Sequence, residues 1–261
     1  MLSMRAARWP GITAAAVALL LAGAVAPAAP DSQGAAIIAR VKAYHGELKD
    51  MSAVMNVEHE NDDALSDISH DFAEFVKFGF RKLKYYYKSP DKVRMESTAT
   101  FFHFLKGISI RNGNRKDIYV PAFHIHKVVD VTGQENKKET ALDFGVITGD
   151  IWDHYDVWFI RSEKDKDGDV YLLGLRPSNE PHGGTMIARL DAKTLKVLER
   201  ARYNGDGVLQ QREVFSKWVH ALPHVWIPTL IEMYNNQGKL GGDLVYSKVE
   251  VNTGLDDKLF H

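Results

Sequence analysis

The sequence contains no cysteine among its 261 residues. Disulfide bonds are therefore excluded, and the fold must be stabilised by burial of apolar side chains. The same absence excludes a hydrolase with a cysteine nucleophile. The Gly-x-Ser-x-Gly motif of serine hydrolases is also missing. The sequence thus offers no recognisable nucleophile, and we do not expect an enzyme.

An excess of charge of one sign is lacking as well. The chain carries 33 basic and 34 acidic side chains, for a net charge of -1. Proteins that bind nucleic acids or anionic membranes through a broad electrostatic field need clustered basic residues. We therefore expect no nucleic-acid partner.

Long hydrophobic runs are scarce, and the main one lies near the N-terminus. Arg5 and Arg8 precede an apolar run over residues 12–25, which is rich in alanine. A membrane-spanning helix needs ~20 strongly apolar residues, so this run is too short and too weakly apolar. A basic start, a short apolar core and small residues are typical of a secretory signal. The sequence predicts a signal peptide over residues 1–28.

The expected cleavage point lies between Ala28 and Ala29, which leaves residues 29–261 as a single mature domain. Ala24 occupies the place of the lipidated cysteine in a segment that is similar to a bacterial lipoprotein box. Without that thiol no lipid can be attached. We expect a periplasmic protein with no lipid anchor.

Alternation of apolar and polar residues dominates the mature chain. A helix is predicted from Ser32 to about Lys49, and period-two patterns follow. They cover residues 52–60, 82–88, 93–96, 108–110, 117–120, 123–131, 157–162, 171–176, 185–190 and 197–203. With turn-forming clusters between most of them, these segments predict an antiparallel meander of about ten or eleven strands.

One stretch interrupts the strands. Between Glu139 and Tyr155 apolar residues recur at helical spacing, although Gly145 and Gly149 would weaken a long helix. The expected fold is mainly β, an open barrel or strongly curved sheet covered by helices.

The most distinctive sequence motifs lie near the C-terminus. Pro228-x-x-Ile-Glu-Met leads into a turn at residues 235–238, and a second strand ends in Val251-Asn-x-Gly-Leu-x-Asp-x-x-Phe260. This hairpin and tail resemble the closing hairpin of the LolA-like family, the periplasmic lipoprotein-sorting carriers. Residues 87–96 are similar to the family's Lys-x-Pro-x-x-x-Arg strand pair, and residues 112–121 to its Asp-Gly hairpin.

The resemblance implies a monomeric carrier that works without catalysis or cofactor. Such a carrier would bind acyl chains of lipoproteins or other lipids in an apolar cavity, take them from an inner-membrane donor and deliver them toward an outer-membrane acceptor. Two positions depart from the family pattern. Ser89 stands where the well-known carriers have the arginine that ties the lid to the barrel, and Val93 replaces an aromatic cavity residue.

The strand pattern also selects candidate site residues, which face inward if the alternation holds. The predicted cavity residues are Met55, Val57, Tyr85, Tyr87, Val93, Met95, Ile110, Ile118, Val120, Phe159, Leu173, Leu175, Met186, Ile231 and Met233, with Leu244 beside them. The predicted rim and lid residues are Phe101, Phe102, Phe104, Leu142, Ile151 and Trp152. From the residues alone, an ordinary packed core explains the first set equally well.

Two other functions stay open. The same fold could serve as a periplasmic sensory module that binds a protein partner in envelope stress. A metal-dependent enzyme would use His124 and His126, which the alternation places on one face of a strand. Carboxylates at a suitable spacing do not accompany these histidines in the sequence, so we expect no metal.

Overall fold

The computed structural model describes residues 32–44, 46–100, 105–135, 138–180 and 182–261. The predicted signal peptide lies outside these residues. Within them, none of the helices has the length and apolar character that a membrane crossing requires. The helices are α1 (Ser32–Tyr44), α2 (Asp62–Ile68), α3 (His70–Lys77) and α4 (Ile151–His154).

Thirteen strands are present in the described residues. They are β1 (Asp50–Glu60), β2 (Lys82–Lys88), β3 (Lys92–Thr98), β4 (Lys106–Asn112), β5 (Arg115–Val120), β6 (Ile125–Asp130), β7 (Tyr155–Asp165), β8 (Gly168–Pro177), β9 (Thr185–Asp191), β10 (Val197–Tyr203), β11 (Leu209–Leu222), β12 (Val225–Asn235) and β13 (Leu240–Val251). Short 3-10 turns occur at Pro121–Phe123, Ala141–Phe144 and Asp257–Phe260.

All of these strands form one antiparallel sheet, in the order β6-β5-β4-β3-β2-β1-β13-β12-β11-β10-β9-β8-β7. The sheet consists of two meanders, β1 to β6 and β7 to β13, which are joined where β1 pairs with β13. The predicted mainly β, antiparallel and curved sheet is confirmed, with more strands than the sequence pattern indicated.

Two regions differ from the sequence pattern. The acidic stretch after β1 forms α2 and α3, whose first turns are capped by Asn61 and Ser69. Each cap side chain accepts a hydrogen bond from a backbone N–H that the helix leaves free. Strand β11 was not predicted, because only Glu213 and Phe215 are buried along its 14 residues and polar side chains occupy both faces.

The main hydrophobic core lies between one face of the sheet and the chain that connects β6 to β7. We call this face the inner face and residues 138–154 the insert. Helix α1 contributes Ile37 and Val41 to the same core. The ring of Phe144 in the insert lies against Tyr85 of β2, with centroids 4.2 Å apart. The insert is thus part of the core and covers the inner face.

The insert does not form the long helix that its apolar spacing suggested. A 3-10 turn ends at Gly145, which has a φ of +77°, and α4 begins only at Ile151. An added Cβ at Gly145 would lie 2.7 Å from Cδ1 of Phe215. Glycine is needed there both for the left-handed backbone and for the close approach to β11.

The chain after β13 crosses the outer face of the first meander. Its backbone is held by side chains of the sheet: the carboxylate of Asp50 accepts from the N–H of Thr253 at 2.8 Å, and Arg94 Nη1 donates to the carbonyl of Leu259 at 2.8 Å. Phe260 is buried at the end of this segment. The tail therefore covers apolar surface on the side of the sheet opposite the insert.

Candidate functional site

Most of the predicted cavity residues meet on the inner face. The buried ones in a single cluster are Met55, Val57, Tyr85, Tyr87, Val93, Leu173, Leu175, Met186 and Ile231, with Leu244. Met95, Phe159 and Met233 are partly buried and pack against them. These side chains come from both meanders, so the inner face offers one continuous apolar surface under the insert.

Ile110 is an exception, and its predicted inward orientation is wrong. It pairs with Arg94 on β3, whereas the neighbouring Arg111 pairs with the inner-face residue Val93. Paired residues share a face of the sheet, so Ile110 points outward and Arg111 inward. The outer face is apolar at this point because the C-terminal 3-10 turn packs on β3 and β4.

Ile118 and Val120 lie on the inner face but away from the central cluster. Ile118 pairs with Ser109 and is only half-buried. Val120 packs against a smaller cluster of Phe80, Ala99 and Leu105. These two residues line the β5 end of the face rather than its centre.

The predicted rim residues fall into two groups. Phe101, Phe102 and Phe104 lie outside the described residues. Leu142 and Ile151 are fully buried on the underside of the insert, and Trp152 is half-buried beside them. Leu142 and Ile151 are therefore cover residues that face the sheet and do not form an exposed rim.

A buried ionic network ties the insert to the second meander. Arg200 of β10 donates from Nε and Nη2 to Glu213 of β11, at 3.1 and 2.7 Å. Its third nitrogen, Nη1, donates to Asp143 in the insert. Asp143 also accepts from the backbone N–H of Thr140 at 2.6 Å, which closes the first turn of the insert. One guanidinium thus links two strands of the sheet to its cover.

The protonation of this network is fixed by charge. Burial alone would raise the pKa of Asp143, but Arg200 and Arg202 outweigh it, and the pKa lies below its ordinary value. Burial alone would lower the pKa of Arg200, but Glu213 and Asp143 raise it. The ion pair is therefore charged near neutral pH.

The same N-terminal part of the insert is also tied to the first meander. Lys116 of β5 forms an ion pair with Glu139. Next to it, the buried Lys138 donates to Glu135 at 2.8 Å. The first residues of the insert are thus held by charged contacts to both meanders, and the rest of the insert is held by apolar packing.

The central cluster of the inner face is buried beneath the insert in this structure. Two depressions among the described residues have volumes of about 350 and 210 Å³. The first is lined by residues such as Asn114 and Val128, the second by residues such as Tyr119 and Phe260. Both lie at the β4 to β6 side of the sheet, and neither lies between the insert and the inner face. Neither depression thus gives access to the buried cluster under the insert.

The interface under the insert is incompletely satisfied. Buried polar atoms without a hydrogen-bond partner among the described residues include the hydroxyls of Tyr85 and Tyr246 and Nε1 of Trp152. Burial raises the pKa of both tyrosines well above its ordinary value. Buried polar groups in a permanent core are nearly always paired.

The two histidines considered for metal binding do not share a strand face. His124 has a φ of +53° and ends the 3-10 turn before β6 begins, so the predicted arrangement is wrong. His126 stacks on Tyr119 and its Nε2 lies 3.0 Å from Asp117 Oδ1. Within the part of the chain that the structure describes, no group of three metal-ligating side chains is found.

The fold and site together define a curved antiparallel sheet whose apolar inner face is closed by a chain insert. This is the LolA-like fold. Neither a protein-family model nor a curated protein sequence matches the chain significantly. The fold is established by comparison with solved structures alone.

Three solved structures carry that comparison. A domain from Vibrio parahaemolyticus, provisionally named as an outer membrane lipoprotein-sorting protein, is 17% identical with a TM-score of 0.60, over 88% of this chain and 96% of its own. A DUF1329 family protein from Desulfovibrio piger is 15% identical with a TM-score of 0.58, over 90% and 98% of the two chains. A LolA superfamily protein from Nitrosomonas europaea is 12% identical with a TM-score of 0.58, over 87% and 97%.

Proposed function

We propose that this protein is a periplasmic carrier that binds acyl chains of lipoproteins or other lipids on its inner face and delivers them toward the outer membrane. The observation that carries the proposal is the continuous apolar inner face, covered by a short insert that has charged ties to both meanders and unpaired polar atoms beneath it. The insert acts as the lid.

The free energies support reversible exchange. Opening the lid exposes the buried side chains of Leu142, Phe144, Ile147 and Ile151, at a cost of about 8 kcal/mol if each contributes about 2. A sixteen-carbon acyl chain that takes their place gains about 12 kcal/mol at about 0.8 per methylene, before ordering costs. The two terms are of similar size, so the lid and the lipid compete for one surface.

No step of this mechanism requires catalysis or a cofactor. In the family, the lid is latched by an arginine that precedes the proline matched here by Pro90, and Ser89 stands at that place. The latching role would fall here to Arg200, because Arg200 joins the lid to the sheet. We propose an inner-membrane donor and an outer-membrane acceptor as partners, and a monomer as the working form.

Native mass spectrometry of the protein purified from a bacterial periplasm without detergent tests the proposal. A stoichiometric acylated species, identified after lipid extraction, is the expected result. The same spectrum should show a mass that begins at Ala29, as signal cleavage after residue 28 requires. A lipid-free mass, with no uptake of added fatty acid or lipopeptide, would contradict the carrier function.

A protein-binding module is the second candidate, and a specific feature favours it. The sheet ends at β6, whose residues are exposed except for one, and it carries exposed apolar side chains at Ile125 and Val128, with Phe123 just before it. An unpaired edge strand can accept an extended peptide by backbone hydrogen bonding. Saturable binding of a periplasmic partner segment by a lipid-free protein, lost when β6 is altered, would favour this candidate.

A further inference from the structure

Arg111 is a charged side chain in an apolar place. It lies on the inner face of β4, opposite Val93 on β3, and only 2% of its surface is exposed. Arginine stays protonated at any pH at which the protein is folded. A full positive charge is therefore held beneath the lid, next to the surface that we propose for acyl chains.

The guanidinium of Arg111 is poorly satisfied. Nε and Nη2 have no hydrogen-bond partner among the described residues. Nη1 makes a single long bond of 3.4 Å to the carbonyl of Gly113 in the adjacent turn. Buried guanidinium groups normally donate most of their five N–H groups to oxyanions or carbonyls. The unpaired edge formed by Nε and Nη2 has the geometry that binds two oxygens of one oxyanion.

The charged groups around Arg111 do not fill this role. Asp150 of the insert is near enough to influence Arg111 electrostatically, but no described carboxylate forms an ion pair with it within 4.0 Å. Asp150 instead accepts from the hydroxyl of Thr148. Burial raises the pKa of Asp150, while the charge of Arg111 acts in the opposite direction. Lys116, the other cation facing inward beside Arg111, already pairs with Glu139.

We propose that Arg111 is a binding residue for the anionic end of the cargo, and that it takes a carboxylate or a phosphate through Nε and Nη2. This inference rests on the proposed carrier function. It also gives the direction in which the cargo lies. The oxyanion lies at β4 beneath residues 148–150, and the acyl chain runs from there over the apolar residues of β3, β2 and β1. When the lid closes without cargo, Asp150 stays near the empty subsite.

The test compares probes that differ only at the polar end. Palmitate, its methyl ester and hexadecyl phosphate are titrated into the delipidated protein, at a pH where both acids are ionised, with binding followed by native mass spectrometry and by tryptophan fluorescence. An oxyanion site predicts binding of palmitate, of hexadecyl phosphate or of both about 10- to 100-fold tighter than the ester. The two acids show whether carboxylate or phosphate is the better fit.

The variants assign that preference to Arg111. Arg111→Met should abolish it and leave the ester affinity within about threefold, and Arg111→Lys should retain part of it. Arg115→Met is the matched control: it removes the same charge four residues away on the outer face, where Arg115 bonds to Asp117, and should behave like the wild type. Equal affinities of acid and ester for the wild-type protein, or a preference that survives Arg111→Met, would overturn the subsite and leave the carrier function standing. Binding of none of the three probes would overturn both.

Asp150→Asn gives a second, independent answer, which does not depend on whether Arg111→Met folds. If the subsite exists, removal of the competing carboxylate should tighten acid binding by about threefold or more and leave the melting temperature nearly unchanged. If Asp150 is the true counterion of Arg111, the variant should unfold at clearly lower temperature with no gain in acid affinity, and the inference fails.

Discussion

The contact between Asp143 and Arg200 provides the sharpest test of the lid. Asp143→Asn removes the carboxylate of the insert, while Arg200 keeps both of its bonds to Glu213 at 3.1 and 2.7 Å. The sheet should therefore keep its internal ion pair, and only the tie to the insert is weakened. Asparagine can still accept the hydrogen bond from the N–H of Thr140, so the first turn of the insert is preserved.

The expected magnitude follows from the type of bond. A hydrogen bond between charged groups contributes about 1.5 to 3 kcal/mol, and Arg200 is almost fully buried. The opening equilibrium of the insert should thus shift about 10- to 150-fold toward the open state. Hydrogen exchange should speed up by that factor in the amides of residues 138–154, with little change in β8 or β12. Lipid uptake should become faster for the same reason.

Asp153→Asn is the control, because Asp153 is an exposed acid on the same insert. It should leave exchange and uptake unchanged. Two results would refute the reasoning: unchanged exchange in the insert of the Asp143 variant, or an equal acceleration throughout the sheet. The first would mean that apolar packing alone holds the insert. The second would mean that the insert is an inseparable part of the core.

Three further predictions concern other parts of the molecule. Gly145→Ala should destabilise the fold by about 2 kcal/mol or more in urea denaturation, because residue 145 has a left-handed backbone conformation and the added Cβ would meet Phe215. An unchanged denaturation midpoint would contradict the close packing seen there. Hydrogen bonds from Lys92 and Lys88 lower the pKa of Asp257 to about 2. The stabilising effect of Asp257 is therefore complete above its ordinary pKa of 3.8 and is lost as the pH falls toward 2. Asp257→Asn should remove this part of the acid sensitivity, measured as hydrogen exchange of the tail amides between these two pH values. Val128→Lys on the exposed β6 should change stability by less than about 0.5 kcal/mol but abolish any peptide binding at that edge; peptide affinity that is unaffected would exclude this edge as the binding surface.

Local chemistry explains what the sequence could predict. The β12–β13 hairpin was predictable because its turn residues and its alternating strands are adjacent in the chain, and the structure places that turn after Asn235. The glycine that breaks the insert was visible for the same reason. Ile110 shows the limit of the method: Ile108 and Ile110 alternate correctly, but the pattern cannot tell which face is covered by the insert and which by the tail.

The ion pair between Asp143 and Arg200 could not be predicted from the sequence, because its partners are 57 residues apart. A weak signal existed for Asp143 alone, because it sits among apolar residues of the insert. In β10, Arg200 follows Glu199 and lies two residues from Arg202, so the alternation does not predict its burial. The inward orientation of Arg111 was not predicted, because it was assigned to the neighbouring apolar residue Ile110.

The pairing of β1 with β13 has a consequence for how the chain folds. These two strands lie at the centre of the sheet, although they are the first and the last strands in the chain order. Met51 of β1, for example, pairs with Val251 of β13. Each meander can form from local hairpins, but their central seam can close only after the whole chain is available. Contacts so distant in sequence slow folding, and until they form, β1 presents an open edge to other chains. The central pairing of the sheet therefore forms only after β13 has been synthesised, and the two meanders can form before it.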